Sequence, residues 1–179
     1  MTTPSLERSG ERIAKLLARA GIASRREVER MIADGREKGI EFVLPVDFTI
    51  ADGSVVEELK PGDQQFDIGL KTSELFEKKV GEFLAEPGSD KVAFHNGVFG
   101  MFEDPRFEAG TRDFVQQFQR LTAGGIEVYV GGGEGGTALE RYGKPEWVKH
   151  CFTAGGTVLN ALGSAPVPYL QALCWAAAK

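Results

Sequence analysis

The feature that most constrains the fold is a unit repeated three times: a short apolar strand, a glycine-rich turn and a helix. The strands are KVAFHN, IEVYV and VKHCF, and the turns are GVFG, GGGEGG and TAGG. Helices are predicted from about Thr111, over TALERYG and over TVLNAL. Strands that alternate with helices favour a parallel sheet with helices on its faces. The predicted fold class is therefore α/β.

The three glycine-rich turns are predicted to lie at one edge of this sheet. Ligands of open parallel sheets bind beyond the carboxyl ends of the strands. Glycine there permits positive φ angles and a close approach of backbone N–H groups, and each following helix adds unpaired N–H groups and a positive dipole end. A single such turn is explained by chain reversal alone, whereas three turns at one edge favour a phosphate site.

Two carboxylates lie at this predicted edge. Glu134 falls inside GGGEGG, where an acid weakens anion binding unless Mg²⁺ intervenes. In nucleotide sites Mg²⁺ is held by one or two carboxylates together with phosphate oxygens. Glu103 follows the first strand and has the acceptors to bind sugar hydroxyls. The alternative for either residue is a solvated surface acid.

The remaining segments predict a helical hairpin in front of the α/β body. ERIAKLLARAG has helical periodicity ending at Gly21, and ASRREVERMIADG carries a Ser24/Glu27 capping box and a predicted end at Gly35. Residues 41–50 are predicted to form a strand, 51–63 a hairpin or loop, and a helix is predicted to be capped by Thr72 or Ser73. A last helix, VPYLQALCWAAAK, is expected to pack back on the body.

The charged residues are unevenly distributed along the chain. Residues 1–40 carry nine Lys or Arg against six Asp or Glu, and the other 139 residues carry twelve against twenty. This asymmetry is a weak indication of a nucleic-acid-facing arm on an acidic body.

The sequence predicts a cytoplasmic protein without a membrane partner. No run approaches the ~20 apolar residues of a membrane helix, and no secretory signal is visible. In the cytoplasm Cys151 and Cys174 are expected to be reduced.

The histidines and aromatic residues are interpreted as structural. His95 and His150 lie on predicted strands without metal-ligand spacing, and Cys151 lacks the surroundings of a nucleophile. The large aromatic residues are predicted to be core or interface rather than a stacking platform for bases: Phe114, Phe118, Trp147 and Trp175.

Five ordered motifs resemble one known family. They are LPVDFTIAD, FDIGLKTSELF, FHNGVFGMFEDPRFEAGT, VYVGGGEGGTALERYG and HCFTAGGTVLNAL. Over about residues 37–170 they resemble the carboxy-terminal, nucleotide-binding half of phosphoglycerate kinase. The resemblance implies an incomplete Rossmann-like nucleotide lobe over residues 37–179. It also implies transfer of a phosphoryl group between ATP and 3-phosphoglycerate with Mg²⁺, a step of glycolysis that depends on positioning and electrostatics.

The resemblance also implies roles for individual residues. Gly69 lines the adenine pocket, Asn96 and Phe99 lie beside the nucleotide, and Glu103 holds the ribose. Gly155 and Gly156 face the transferring phosphoryl group as the catalytic positions. The loop that holds the phosphates and the metal corresponds to Gly132, Gly133, Glu134 and Gly135, with Glu134 as the metal ligand in place of the family's aspartate.

The chain also departs from the family pattern. Gly135 replaces a threonine, Val98 a proline and His95 a tryptophan, and Ala154 replaces a glycine, which predicts strain if that position has a positive φ. The lobe that binds 3-phosphoglycerate has no counterpart in the sequence, nor do the lysines that reach the phosphates. The expectation is a divergent, truncated portion that is inactive alone, with a missing lobe or second chain as a partner.

Residues 11–36 resemble another domain. GERIAKLLARAGIASRREVERMIADGR is similar to the first two helices of the RNA-binding domain at the front of ribosomal-RNA pseudouridine synthases. There the turn containing Arg25 and Arg26 faces RNA phosphates, which give affinity without sequence recognition. Residues 1–36 are therefore a predicted partial RNA-binding-type domain. The alternatives are an RNA- or partner-binding protein on a repurposed α/β body, helices that only cover apolar surface, and a non-functional chimera.

Overall fold

The computed structural model describes residues 25–177 except 89, 164 and 165, and among these it leaves out four side chains, those of Arg25, Glu27, Val28 and Tyr169. The chain forms two compact units, Met1–Pro45 and Val46–Lys179. The first predicted helix, residues 11–21, and the capping residue Ser24 lie outside the described residues.

The described helix of the first unit is α1, Arg25–Glu37. The predicted end at Gly35 is wrong, because Gly35 is buried inside the helix and a Cβ there would lie 2.6 Å from the ring of Phe42. The helix ends instead before Gly39, whose φ is +76° and whose N–H donates to the Arg36 carbonyl at 3.0 Å. The glycine at position 35 is thus required for packing, and the one at 39 for its backbone angle.

The second unit begins with a small antiparallel sheet. Its strands are β1 (Phe48–Ile50), β2 (Val55–Val56) and β3 (Gln65–Ile68), in the order β2-β1-β3. Of the hairpin or loop predicted over residues 51–63, a hairpin forms in the first part, where β2 pairs with β1. The strand predicted over 41–50 forms only at its last three residues, and Pro45 in the missing part lacks the N–H that a ladder needs.

Helix α2, Leu70–Ala85, starts before both predicted caps, since its N-cap is Gly69. Its first N–H groups are satisfied from a distance by Asp47, whose side chain accepts from Lys71 N–H at 3.1 Å and from Thr72 N–H at 2.8 Å. Thr72 in turn accepts the Asp47 N–H at 3.0 Å through its hydroxyl. Asp47 is only 2% exposed, so this is a buried, fully bonded carboxylate.

The second sheet is parallel, as predicted. It consists of β4 (Val92–Asn96), β5 (Glu127–Gly131) and β6 (His150–Phe152) in the order β4-β5-β6. The register aligns Asn96 with Gly131 and Gly131 with Phe152, so all three strands end at one level. The connecting helices are α3 (Ala109–Ala123), α4 (Gly133–Tyr142), a short 3-10 helix (Pro145–Trp147) and α5 (Gly155–Leu162).

The core of the second unit is built around the central strand β5. Val128 and Val130 are at most 1% exposed and belong to one buried cluster with residues of α3 and α4, among them Val115, Phe118 and Leu139. Phe114 and Trp147 pack at the edge of this core, as expected, whereas Trp175 is 65% exposed.

The last helix is α6 (Pro168–Ala177). Its described side chains, including Leu170 and Leu173, are exposed, so the expected burial against the body is not seen for these side chains. No helix within the described residues is long and apolar enough to cross a membrane. Cys151 and Cys174 are both free thiols.

His95 lies in an aromatic cluster beside β4. Its ring stacks on Phe114 at 5.5 Å and meets Phe118 edge-on at 5.1 Å, with Phe99 at 6.1 Å. The Nε2 atom is buried and has no hydrogen-bond partner among the described residues. Burial lowers the pKa of His95 below its ordinary value of 6.5, because the charged imidazolium loses its hydration there.

This geometry predicts that His95 contributes to the pH dependence of the stability. As pH falls below about 6.5, the unfolded chain takes up a proton at His95 before the folded chain does, so the free energy of unfolding decreases. We expect His95→Phe to flatten this decrease and, at pH 7.5, to retain or raise stability by roughly 1 kcal/mol, since no orphan nitrogen remains. Urea unfolding between pH 7.5 and 5 measures both effects. An unchanged slope in His95→Phe contradicts the assignment.

Candidate functional site

The ends of the three parallel strands converge on the side chain of Asn96. Its Oδ1 atom lies 2.8 Å from the position of a Cβ on Gly131 and 2.2 Å from that of a Cβ on Gly155. The two later strand ends are joined directly, since Gly132 N–H donates to the Phe152 carbonyl at 2.8 Å. The predicted meeting of three glycine-rich turns at one edge is therefore present.

The start of α4 is shaped for a close backbone approach. Gly132 has φ +89° and ψ 154°, a conformation open essentially to glycine alone. Gly133 follows as the first helical residue, and a Cβ there would meet nothing within 4 Å. Glu134 is exposed in this first turn and forms no ion pair or hydrogen bond through its side chain with the described residues. The predicted loop GGGEGG is thus largely the first turn of a helix.

The start of α5 lies directly against the start of α4. A Cβ on Gly155 would lie 2.8 Å from the Gly132 nitrogen and 3.1 Å from the Gly131 carbonyl carbon. The next residue, Gly156, faces open space, like Gly133. Two helix N-termini with unobstructed backbone therefore stand side by side, an arrangement that suits anions.

Two family departures have a local explanation. Gly135 is buried, and a Cβ there would lie 2.9 Å from Cγ1 of Val130, so this glycine lets α4 pack closely on β5. Ala154 has φ −112°, and no described non-glycine residue has a positive φ. The strain predicted for Ala154 is therefore absent.

The residues predicted for the base and the ribose lie on other segments. Gly69 is buried at the end of β3, where its Cβ position would overlap the carboxylate of Asp47. Phe99 turns its ring into the aromatic cluster, 5.0 Å from Phe114 and 5.5 Å from Phe76, and its N–H donates to Thr111 Oγ1. Glu103 is exposed in the connection between β4 and α3.

Sequence reasoning missed the residue that fixes this connection. Asp67 is 1% exposed and accepts the Gly110 N–H at 2.9 Å, which holds the first turn of α3. Burial raises the pKa of its carboxyl group. Gly100 and Gly110 both pack so closely that a Cβ would lie within 2.8 Å of its Oδ1. The one available signal was the aspartate within the apolar run FDIGL, where a charge needs a buried partner.

The site is poor in cationic side chains. The three turns, residues 97–100, 131–136 and 153–157, contain no Lys or Arg. Within the described part of the chain, no three His, Cys, Asp or Glu side chains cluster to hold a metal. The donor set fits Mg²⁺ only when one carboxylate, Glu134, acts together with ligand oxygens and water. The turns themselves therefore offer an anion only backbone N–H groups, to which a Mg²⁺ ion held by Glu134 would add positive charge.

A separate groove of about 270 Å³ lies between α2 and α3. None of the predicted site residues lines it. Its lining includes three acidic residues, Glu74, Glu77 and Asp113, and the apolar residues Ile68, Phe76 and Phe114.

The predicted RNA-binding residues lie in the first unit. Arg25 is the first residue of α1, and its side chain is outside the described part, while Arg26 is exposed. The rest of the hairpin, residues 11–24, is also outside it. The RNA role stays a prediction.

Comparisons with known proteins agree with the geometry. The sequence profile of the family described as phosphoglycerate kinase matches residues 4–164. A phosphoglycerate kinase of Chloroflexus aggregans is 35% identical over 154 residues, which are 81% of this chain and 37% of that protein. One of Microcystis aeruginosa is 32% identical over 150 residues, 79% of this chain and 36% of that protein. The solved structure of phosphoglycerate kinase from Coxiella burnetii matches with a TM-score of 0.61 at 26% identity, covering 79% of this chain and 36% of that one.

The matches cover most of this chain but only part of each relative. The chain spans little more than a third of the length of the relatives it matches. The matched range begins at residue 4 and so includes residues 11–36, for which the likeness to an RNA-binding domain stays a prediction.

Replacing each of the two glycines at the start of α4 with alanine should affect the stability differently. Gly132→Ala forces a Cβ into a glycine-only conformation and should lower the free energy of unfolding by about 1–3 kcal/mol. Gly133→Ala has free space and an ordinary helical backbone, so it should be neutral or slightly stabilising. Urea denaturation of both variants measures the difference. Equal costs for the two substitutions would contradict the described backbone.

Proposed function

This chain belongs to the phosphoglycerate kinase family, and we propose that its second unit binds ATP or ADP with Mg²⁺ at the carboxyl edge of the β4–β6 sheet. The observation that carries the proposal is the close approach of Gly155 to Gly131 and Gly132, with the side-chain oxygen of Asn96 beside them. It places two helix N-termini side by side, each with an unobstructed glycine. Phosphate groups are the ligands best matched to adjacent N–H arrays at helix starts.

The phosphates are proposed to lie over Gly132, Gly133 and Gly156. Because the three turns lack Lys and Arg, backbone N–H groups, helix dipoles and a metal ion are proposed to balance the ligand's charge there. Glu134 is proposed to hold Mg²⁺ together with phosphate oxygens. The cation then neutralises the carboxylate, which by itself would repel the phosphates.

The nucleoside is proposed to extend from these turns along the connection after β4. Asn96 and Phe99 begin that connection, and exposed Glu103 offers acceptors for ribose hydroxyls. Gly69 is proposed to border the base, with the close approach of its backbone set by Asp47. Gly135 is proposed to support the site indirectly. It lets α4 pack closely on β5 and offers no exposed surface to the ligand.

Phosphoryl transfer between ATP and 3-phosphoglycerate is the further proposal that follows from the family. Gly155 and Gly156 are proposed to face the transferring group, whose transition state is stabilised by positioning and charge. Since the strand-end turns offer no cationic side chain for a second anionic substrate, a lobe or second chain is proposed to supply it.

We expect the pure 179-residue chain to show no ATP turnover that depends on 3-phosphoglycerate in a coupled assay. The physical reason is that the strand-end turns lack the cations that would bind this anionic substrate. Dependence of ATP turnover on 3-phosphoglycerate by this chain alone would contradict the need for a further lobe.

Glu134 predicts a metal-dependent change in nucleotide affinity. In Glu134→Gln we expect ADP affinity with Mg²⁺ to fall about tenfold, because one carboxylate ligand is lost. Without Mg²⁺ the affinity of this variant should equal or exceed that of the wild type, since a negative charge is removed from the N–H array. Isothermal calorimetry with and without EDTA measures both. Glu140→Gln, an exposed position on the same helix, is the matched control and should leave both affinities unchanged.

The proposal has a clear contrary result. A folded, monodisperse wild type that binds neither ADP nor ATP with Mg²⁺ would show that the strand-end arrangement is not a nucleotide site.

A further inference from the structure

The last turn of α4 holds both ends of the segment 102–108, which follows β4. Arg141 donates to the Phe102 carbonyl at 2.9 Å through one guanidinium nitrogen and to the Glu108 carboxylate at 3.0 Å through the other. The hydroxyl of Tyr142 lies 2.8 Å from the same carboxylate and 3.1 Å from the same carbonyl. We call these two side chains, Arg141 and Tyr142, the clamp.

The clamp is partly shielded from water. Phe102 is buried and meets the Tyr142 ring edge-on at 6.4 Å, and the Glu108 side chain is 18% exposed. Hydrogen bonds to a carboxylate from a guanidinium group or a phenol are stronger than those between neutral groups. Burial and the bond to Glu108 raise the pKa of Tyr142 to about 12, so its hydroxyl keeps its proton at neutral pH.

Between its two ends the segment is folded into tight turns. The Asp104 N–H donates to the Met101 carbonyl at 3.0 Å, and the Phe107 N–H donates to the Asp104 carbonyl at 2.9 Å. Just before the segment, the Met101 N–H donates to the Phe66 carbonyl of β3 at 2.8 Å. The segment is therefore fixed to β3 on one side and to α4 on the other.

Glu103 is the residue whose direction this arrangement controls. Its side chain is exposed and forms no hydrogen bond or ion pair with the described residues. The Phe102 carbonyl and the Glu103 nitrogen belong to one planar peptide, so a carbonyl held by Arg141 also fixes the plane from which the Glu103 side chain departs. An exposed carboxylate on a fixed backbone is preorganised for a ligand outside the chain.

We propose that Arg141 and Tyr142 are positioning residues that direct Glu103 toward the ribose hydroxyls, and that the clamp thereby sets how strongly those hydroxyls contribute to nucleotide affinity. The inference rests on the proposed nucleotide site and adds two residues of α4 to it. Both residues act through the segment 102–108 and do not touch the ligand. Helix α4 then serves the site at each end, with Gly133 at its start and Tyr142 at its last position.

The main test compares ADP with dideoxy-ADP, which lacks both ribose hydroxyls, each with Mg²⁺ and by calorimetry on the full chain. The wild type should bind ADP about tenfold more tightly, since only ADP offers Glu103 hydrogen-bond donors. In Arg141→Gln this ratio should fall close to one through weaker ADP binding, with little change for dideoxy-ADP. Tyr142→Phe keeps the ring and should lower the ratio in the same direction. An unchanged ratio in Arg141→Gln overturns the proposal.

Two further variants separate positioning from general damage to the fold. Arg112 also approaches the Glu108 carboxylate, at 3.5 Å, but within the described part of the chain its side chain bonds only carboxylates. Arg112→Gln is therefore the matched control and should keep the ratio, and an equal fall there overturns the proposal. In the Glu103→Ala background, Arg141→Gln should not lower ADP affinity further, because it acts only through Glu103. A further fall in the double variant overturns the positioning role.

A ligand-free measurement keeps this inference distinct from the proposed function. In hydrogen exchange, the N–H groups of Asp104 and Phe107 should exchange about tenfold faster in Arg141→Gln than in the wild type, because the segment is then released from α4. Unchanged exchange at both positions overturns the clamp whatever the nucleotides do. A wild type that binds neither nucleotide overturns the proposed function and this inference together. A wild type that binds ADP and dideoxy-ADP equally overturns the inference alone.

Discussion

The arrangement of the second unit depends on the pairing of β5 with a parallel neighbour on each side. Because β4 and β6 run in the same direction in matched register, all three strands end at one level. Val128 and Val130 anchor the central strand in the core, so the position of its end is fixed by packing. The helix starts and the Asn96 side chain lie together only because these ends do. A slip of one residue in either pairing would separate them.

The glycines at this edge fall into two physical groups. Gly135 and Gly155 are buried where a Cβ would overlap neighbouring atoms, so they permit close packing of helix on strand or of helix on helix. Gly133 and Gly156 have open space and an ordinary backbone, so any necessity for glycine there must come from a ligand. The packing glycines let the helix ends come together, and the open ones leave free space beside the first turn of each helix.

Two buried aspartates connect the antiparallel sheet to the first turns of helices α2 and α3. Asp47 binds the first turn of α2, and Asp67 binds the first turn of α3. Each carboxylate replaces the water that a helix N-terminus would otherwise bind, which is a strong, charge-assisted interaction in a dry environment. Membership of the phosphoglycerate kinase family accounts for the shared fold, while these two contacts hold the first turns of α2 and α3 within the part of that fold that the chain covers.

The sequence by itself determined the α/β class, the three strand–turn–helix units and their common edge, because periodicity and glycine clusters are local signals. It also placed Asn96, Glu134 and Gly155 at that edge. It could not show that Gly35 packs against a ring, or that Asp47 caps a helix about 25 residues away. Those facts depend on which distant atoms come together, and only the tertiary structure decides that. The fit between Asn96 and Gly155 is of the same kind, since steric contact between two turns leaves no trace in either turn alone.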